Sequence, residues 1–445
     1  MHSTFRFATL AGLCFAFSTL AFAQNDPEAR AAIAHSHAAV TQKRPVRLNL
    51  GESGQLTLGS GTVLDAATGA VVGTSSQSGT NSSGLADTAI TVTPIPTFDA
   101  AFLAQGGPSN GNIFRFSMLG GPPLLGRTTS IPAKISEISL TLLNADGSTL
   151  MTVPFDPFET LALNSPNFRL ANYASGSQIQ YGDAVQRAEF FNSMAPTWHT
   201  TLQPSVVNRV NITVPRFVNI QLSTGHVVQA RSYFVGTAND GKPFVLLLDS
   251  LFDFFFSNEV NDEINAGTFK SNAFNMILLP NTLLFSLNVN HPNTPGSCCV
   301  LGFHTFFFDP DATPTTRWVT QFASLISPGL FSGGVADVTA LSHETSEAMN
   351  NPFLDNVTPR WQFPNQPANS KFCQGSLETG DPIEVLANAT SPVTLQVNGH
   401  PFTFHPQTEA LLQWFQMGPT SNAINGAFSF PDETALMKSA VPCPQ

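Results

Sequence analysis

The sequence predicts an α+β protein in which a β-rich region precedes a mixture of strands and helices. Two observations support this prediction. Apolar and polar residues alternate over several short segments from about residue 91 onward, which is the pattern of half-buried strands. Two other segments, residues 180–194 and about 333–350, place their apolar residues along one face of a helix. The coarse order is therefore strands, one helix, several more strands and a second helix.

The composition is that of a folded chain with a large core. Of the 445 residues, 42% are hydrophobic and only 11% are charged, which excludes a charge-driven disordered chain and a coiled coil. Acidic residues outnumber Lys and Arg by 30 to 19, so nothing indicates a nucleic-acid partner. The length suits one large domain or two or three ordinary ones.

Residues 1–23 have the form of a secretory signal peptide. Arg6 precedes an apolar run, and Ala21-Phe22-Ala23 gives the small-residue pattern of a cleavage site before Gln24. The run is short for a membrane anchor, and no later segment reaches about 18 uninterrupted apolar residues. We therefore expect an exported protein, extracellular or periplasmic, without a membrane span after cleavage.

The rest of the chain divides by composition. Residues 24–50 are polar, and residues 51–90 are rich in Gly, Ser, Thr and Ala. We interpret 24–90 as a leader, in which the second part is a flexible linker or a set of short exposed strands. Residues 91–175 form a β-rich N-terminal region, and residues 176–445 form a further domain with a C-terminal extension.

Strands are predicted where the alternation is clearest. Residues 113–118 alternate, and residues 135–142 do so before an Asn-Ala-Asp-Gly turn at 144–147. Residues 107–111 match the G-x-S-x-G pattern of a nucleophile elbow, but a β-like segment follows where a helix is required, so we interpret them as a turn. Further strands are predicted at 205–214, 226–236, 275–287 and 299–308.

Four cysteines follow the signal peptide: Cys298, Cys299, Cys373 and Cys443. An even number in an exported chain indicates two disulfides, for which three pairings are allowed. We expect Cys373 to pair with Cys298 or Cys299, although these two neighbours could also join each other. The C-x-x-C pairs of a structural zinc site are missing, so a thiolate zinc site is not expected.

Acidic residues surround the apolar run at 252–256. Their spacing does not match an EF-hand calcium loop. We therefore interpret them as the solvated rim of an apolar segment. They are Asp249, Asp253, Glu259, Asp262 and Glu263.

The best candidate for chemistry lies in the second predicted helix. His343 and Glu347 are four residues apart, so on a helix they project from the same face one turn apart. Two ligands at this spacing can reach one metal ion, and Glu344 between them can accept a proton from a bound water. The alternative is an ordinary amphipathic helix whose solvated face carries His and Glu.

The remaining residues of this helix favour a polar cleft. Small and polar residues share the face of His343 and Glu347, which contains no Lys or Arg, and apolar residues occupy the opposite face. Ser332 or Asp337 could cap the start of the helix, and Asn350-Asn351-Pro352 should end it.

The segment HETSE at 343–347 resembles the H-E-x-x-H helix of zincin metallopeptidases. The wider run SHETSEAMNNP, followed by Trp361 and GSLETGDPIE, is similar to secreted bacterial zincin-like proteins of mostly unknown activity. The resemblance covers roughly residues 176–390. It implies a zincin-like domain with a mixed sheet, zinc held by His343 and Glu347, Glu344 as general base, and hydrolysis of extracellular protein or peptide substrates.

The sequence departs from the family at Glu347, where a second His is usual. A further carboxylate ligand would nearly neutralise the ion, which would then acidify its water less. Zincins with an acidic third ligand take it from downstream, so the resemblance points to Glu378 and Asp381; a surface turn around Gly380 is the alternative. His304 is the next candidate, although a lone His on a Phe-rich strand is more typical of a packed core.

Two other classes of function stay open. The protein could keep the fold without the reaction, as a non-catalytic binding or surface protein. It could also be a β-rich adhesive or carbohydrate-binding protein in which the His-Glu pair is incidental. His400 and His405 lie among Pro and Phe and are given no role. The sequence does not set the oligomeric state.

Overall fold

A computed structural model describes residues 26–34, 43, 46–47, 58, 61–73, 93–173, 178–331, 334–367, 370 and 372–443. The predicted signal peptide at 1–23, much of the leader at 24–90 and the candidate cap Ser332 lie outside the described residues. Within them the protein is a strand-rich α+β fold, as predicted.

A seven-stranded mixed sheet lies at the centre of the fold. Two long parallel strands, Thr128–Leu143 and His199–Val214, form one side, and an antiparallel pair, Gly302–Asp309 and Thr316–Leu325, lies on the other. Both sides meet at Phe274–Pro280. The order is Val46–Arg47, Gly302–Asp309, Thr316–Leu325, Phe274–Pro280, Thr128–Leu143 and His199–Val214, with Thr149–Val153 paired to Thr128–Leu143. The sheet therefore takes strands from both sides of residue 175.

Two predicted strands are each two strands in different sheets. The chain turns at Asn281, whose φ is 43°, so the segment 275–287 divides into Phe274–Pro280 and Thr282–Leu287. The segment 226–236 likewise divides into Val227–Arg231 and Tyr233–Thr237. All residues of Phe274–Pro280 are buried, as expected for a strand covered on both faces.

Seven smaller sheets complete the strand content of the described residues. Two have four strands, in the orders Tyr233–Thr237, Pro243–Leu248, Thr282–Leu287, Pro295–Val300 and Val227–Arg231, Phe217–Gln221, Val63–Asp65, Val71–Gly73. One has three strands, Gln374–Ser376, Val357–Gln362 and Val441–Pro442. The pairs are Thr97–Leu103 with Ile113–Leu119, Ala171–Asn172 with Gln178–Ile179, Val393–Val397 with His400–Phe404, and Glu409–Ala410 with Ser429–Phe430.

Described parts of the expected leader pack on the fold. The helix Pro27–Ala34 buries Ala29, and the strand Val63–Asp65 buries Leu64. The strand Val63–Asp65 also pairs in parallel with Phe217–Gln221. These segments therefore contribute to the core.

The helices are shorter than predicted. Residues 180–194 give the helix Tyr181–Glu189, and residues 333–350 give Thr339–Asn350. The second helix starts late because Asp337 has a φ of 36° and its backbone hydrogen-bonds that of Ile326. The α-helices are Pro27–Ala34, Asp156–Leu163, Tyr181–Glu189, Asp249–Asn265, Thr339–Asn350, Asp381–Glu384 and Leu412–Phe415, and the 3₁₀-helices are Gly107–Ser109, Pro123–Leu125 and Thr420–Asn422.

The acidic rim predicted around residues 252–256 is partly wrong. Glu259 and Glu263 are only 9% and 3% exposed, whereas Asp249, Asp253 and Asp262 are partly exposed. The helical period explains the difference, because Glu259 and Glu263 continue the buried face that begins at Phe252 and Phe256.

The predicted partner of Cys373 is also wrong. Cys373 pairs with Cys443, with their Cα atoms 6.1 Å apart, and Cys298 pairs with Cys299. Cys373 and Cys443 adjoin the two outer strands of the three-stranded sheet, so strand pairing brings them together. The link closes the loop of chain that runs from Cys373 to Cys443. In the chain-entropy account, closing a loop of this length in the unfolded state stabilises the fold by about 4 kcal/mol.

The G-x-S-x-G segment forms a turn. The 3₁₀-helix Gly107–Ser109 lies between the antiparallel strands Thr97–Leu103 and Ile113–Leu119, so no helix follows Ser109 as a nucleophile elbow requires. Among the described residues, no helix is long and apolar enough to cross a membrane.

Candidate metal centre

The helix Thr339–Asn350, called the site helix below, is buried along its entire length. Its neighbours include the strands Gly302–Asp309 and Thr316–Leu325 and the helix Tyr181–Glu189. His343 and Glu344 are 0% exposed and Glu347 is 2% exposed. The structure therefore encloses these side chains in the interior instead of placing them on a solvated face.

His304 reaches the site helix from the strand Gly302–Asp309. Its Nδ1 lies 3.3 Å from Glu344 Oε2 and 3.4 Å from Glu347 Oε2. A Cβ at Gly302 would come within 2.8 Å of Glu344 Cγ, so a glycine there lets the strand approach the helix closely. His304 is a packed core residue, as its setting predicted, and it also faces the two carboxylates.

The loop 377–381, called the acidic loop, brings the downstream carboxylates to the histidines. Glu378 Oε2 lies 3.6 Å from His304 Nε2, and Asp381 Oδ1 lies 3.8 Å from His343 Nε2. Glu378 and Asp381 are 1% and 5% exposed, so the surface turn considered as the alternative is not found.

Close packing and backbone hydrogen bonds hold the acidic loop against the site helix. The amides of Gly380 and Asp381 donate to Glu347 Oε1 at 3.0 and 3.3 Å. A Cβ at Gly380 would lie 2.5 Å from His343 Nδ1, so any larger residue would displace the ring or the loop. The Cys373–Cys443 disulfide lies just before this loop.

Two groups of side chains have ligand atoms close enough to hold a metal ion. One group is His304, Glu347 and Glu378, and the other is His343, Glu344 and Glu347. Within each group the ligand atoms lie within 4.8 Å of one another, and all the residues are buried. Glu347 belongs to both groups.

Some of these atoms lack hydrogen bonds. His304 Nε2, His343 Nε2 and Glu344 Oε1 are buried without a hydrogen-bond partner, although Glu347 Oε1 lies only 3.1 Å from His343 Nε2. A buried polar atom without a partner normally costs about 1–3 kcal/mol. Two histidine nitrogens in this state fit a metal ion, because a neutral imidazole binds metals through its lone pair.

Gln407 orients one of the rings. Its Oε1 lies 3.0 Å from His343 Nδ1, and its amide nitrogen donates to Gly380 O at 2.7 Å. If Nδ1 carries the proton and donates it to Gln407, the lone pair of His343 lies on Nε2, which faces Glu347.

The pKa values of the carboxyl groups reflect many buried acids with few positive charges near them. Burial raises the pKa of Glu344 to about 7 and that of Asp381 to about 8. Burial also raises the pKa of Glu378 well above its ordinary value. Burial acts in the same direction on Glu347, but the charge of His343 and a hydrogen bond from His304 hold its pKa below the ordinary range.

The pKa values of the two histidines are also raised, but burial is not the cause. Burial acts to lower the pKa of His304 and of His343, but neighbouring carboxylates raise both pKa values well above the ordinary value. Without a cation, the cluster must take up protons to stay buried, since unpaired buried charges are costly.

Several residues of the centre were not found from the sequence. Glu409 is buried and accepts a hydrogen bond from Tyr181 at 2.7 Å, and Asn351 donates to Glu378 Oε1 at 2.9 Å. Glu409 lies in a separate segment without a motif spacing, and Asn351 directly follows the site helix, where the sequence predicts only a helix stop. His405, given no role, pairs with Asp337 at 2.7 Å near the start of the site helix.

Comparisons of the chain with protein-family models, with curated proteins and with solved structures find no match. The resemblance to zincin metallopeptidases therefore rests on the residues around HETSE at 343–347 and stays a prediction.

Proposed function

We propose that the protein is an exported metal-binding protein whose buried centre binds zinc. The observation that supports this is that the Nε2 atoms of His304 and His343 lack hydrogen bonds, although His304 Nε2 faces Glu378 and His343 Nε2 faces Glu347. A cation between such groups removes the cost of burying them unpaired. Imidazole nitrogen and carboxylate oxygen are both zinc ligands.

The fold is consistent with a zincin-like domain, and the cysteines are consistent with an exported protein. A helix carrying HETSE beside a mixed sheet is what a zincin-like domain over residues 176–390 would contain. Two disulfides suit an oxidising compartment outside the cytoplasm, which is where the signal-peptide pattern at 1–23 would send the chain.

Metal content tests the proposal directly. The full chain, stripped with a chelator and then dialysed against Zn²⁺, should retain zinc by mass spectrometry. His343→Ala should lower zinc affinity by more than the 10–100-fold that loss of an outer hydrogen-bond partner costs. His199→Ala is the matched control, because the His199 ring pairs with Asp183. Wild-type protein that retains no metal would overturn the proposal.

Hydrolysis of peptide bonds is a second candidate function, favoured by the position of Glu344. Its Oε2 lies 3.3 Å from His304 Nδ1, and its Oε1 has no hydrogen bond. A divalent cation, when bound, polarises a carbonyl and lowers the pKa of a bound water. Glu344 would accept a proton at Oε1 and pass it to the leaving amine, and His304 would hold the carboxylate through Oε2.

A measurement of proteolytic activity distinguishes zinc binding alone from peptide hydrolysis. Cleavage of a denatured protein substrate that stops on chelation supports hydrolysis, and Glu344→Gln should then reduce the rate by about 10²–10⁴-fold while zinc stays bound. Glu433→Gln is the control, because this partly exposed carboxylate accepts hydrogen bonds from Asn425 and belongs to neither ligand group. Wild-type protein that binds zinc and cleaves nothing would be a non-catalytic metal protein, which is the outcome that the burial of Glu344 and Glu347 favours.

A further inference from the structure

We propose that the centre binds two divalent cations, with the carboxylate of Glu347 shared between them. The inference rests on the proposed metal binding and does not require peptide hydrolysis. His304 and Glu378 would complete one ligand group, and His343 and Glu344 would complete the other.

The geometry of Glu347 supports a shared ligand. Its Oε1 lies 3.1 Å from His343 Nε2, and its Oε2 lies 3.4 Å from His304 Nδ1. The two oxygens of one carboxylate therefore face different histidines, and each histidine belongs to a different ligand group. A carboxylate in this position can bridge two ions, which lie about 3.5–4 Å apart in two-metal sites.

Hydrogen bonds fix this carboxylate from outside the cluster. The amides of Gly380 and Asp381 donate to Oε1. Because Glu347 is 2% exposed and held by backbone groups, it cannot turn toward solvent or favour one histidine without breaking these bonds. The backbone of the acidic loop therefore holds the Glu347 carboxylate between the two ligand groups.

The charge of the cluster also favours two cations. Five carboxyl groups are buried at the centre beside the two histidines, those of Glu344, Glu347, Glu378, Asp381 and Glu409. The three carboxylates of the two ligand groups alone, those of Glu344, Glu347 and Glu378, exceed the charge of one divalent cation when they are ionised. An uncompensated buried charge is costly, so a second cation stabilises the fully ionised cluster.

The histidine nitrogens that lack hydrogen bonds are independent evidence for two ligand groups. His304 Nε2 and His343 Nε2 are both fully buried without a hydrogen bond, and they belong to different groups. A cation on His304 Nε2, which lies 3.6 Å from Glu378 Oε2, would leave His343 Nε2 unpaired, and a cation on His343 Nε2 would leave His304 Nε2 unpaired. Two cations use both.

The stoichiometry of the full chain tests the inference. Wild-type protein, stripped of metal and titrated with Zn²⁺ by calorimetry and mass spectrometry, should bind two ions per chain. His304→Ala and His343→Ala should each bind one, and the control His199→Ala should bind two. One ion in the wild type would overturn the two-cation inference and leave the proposed metal binding standing, whereas no ion would overturn both.

A second measurement does not depend on the folding of any variant. Wild-type protein loaded with Co²⁺ should show magnetic coupling between the ions in electron paramagnetic resonance, because a shared carboxylate links them. Two uncoupled ions would show that Glu347 does not bridge. Glu344→Gln should bind one ion, because Glu344 is a ligand in this arrangement and not the proton acceptor of the hydrolysis candidate; two ions retained would remove Glu344 from its group.

Discussion

Two helices of this protein each carry a buried pair of residues four positions apart, but the two pairs meet different chemistry. On the helix Asp249–Asn265 the pair is Glu259 and Glu263, and on the site helix it is His343 and Glu347. Both pairs are at most 9% exposed. The two pairs therefore have the same spacing along their helices, and both are buried.

The glutamate pair meets neutral hydrogen-bond donors. Ser136 Oγ donates to Glu259 at 2.8 Å, and the amide of Asn208 donates to Glu263. Ser136 and Asn208 lie opposite each other on neighbouring strands, so the sheet presents two donors to two acids. Such partners stabilise buried carboxyl groups without an ion.

The pair on the site helix meets other candidate metal ligands instead. His304 and Glu378 face it, and nitrogen atoms of both histidines lack hydrogen bonds. The comparison teaches that burial and a four-residue spacing do not by themselves identify a metal centre. The distinguishing feature is a set of converging ligand atoms left without hydrogen bonds.

Metal removal should have the largest effect and should be confined to one region. Zinc at about 1,000 times its Kd should raise the free energy of unfolding by about 4 kcal/mol over the chelated protein. Amide hydrogen exchange should quicken in the site helix on chelation but not in Asp249–Asn265, because Glu259 and Glu263 need no ion. Equal loss of protection in both helices would contradict the comparison.

Gln407→Leu should lower zinc affinity by about 10–100-fold, because His343 Nδ1 loses the acceptor that orients its ring. Calorimetric titration with Zn²⁺ measures the effect. Gln413→Leu is the matched control, a buried Gln that donates to the backbone of Glu189. Equal losses in both variants would mean that the effect is general packing.

Ser136→Ala should affect stability but not metal binding. It leaves Glu259 Oε1 without its donor, which costs about 1–2 kcal/mol of unfolding free energy. Denaturant unfolding measures the loss, and the zinc content should equal that of the wild type. A loss of zinc would show that the two regions are coupled.

The smallest expected effect is on pH dependence. Burial raises the pKa of Glu259 from its ordinary 4.5 to about 7. Its contribution to stability is therefore complete below the unfolded pKa and is lost as the pH rises through about 7. Glu259→Gln cannot ionise, so its stability should fall less than that of the wild type between about pH 5 and about pH 8. Identical slopes in denaturant unfolding would refute the assignment.

Local spacing explains what the sequence revealed of the centre. His343 and Glu347 could be recognised together because one turn of helix separates them, and Glu378 and Asp381 followed from the resemblance. His304 ranked below them because strand alternation does not tell which helix covers a given face. Glu409 could not be found, because only tertiary packing brings it to the site.

The fold was predicted where the pattern is local and missed where one residue redirects the chain. The alternation at 135–142 lies within the strand Thr128–Leu143. The positive φ values of Asn281 and Asp337, which divide one predicted strand and shorten the site helix, have no signature in hydrophobic periodicity. The charge of Glu259 and Glu263 predicts exposure, but their helical phase places both on the buried face.

The complete burial of the site helix has a kinetic consequence. An ion bound at the proposed centre would be enclosed by residues at most 2% exposed, so it would enter or leave only when the surrounding structure opens, and its residence time would follow the frequency of local opening. The Cys373–Cys443 link lies just before the acidic loop and joins it to the strand Val441–Pro442. Reduction of that link should therefore speed metal exchange even where equilibrium affinity changes little.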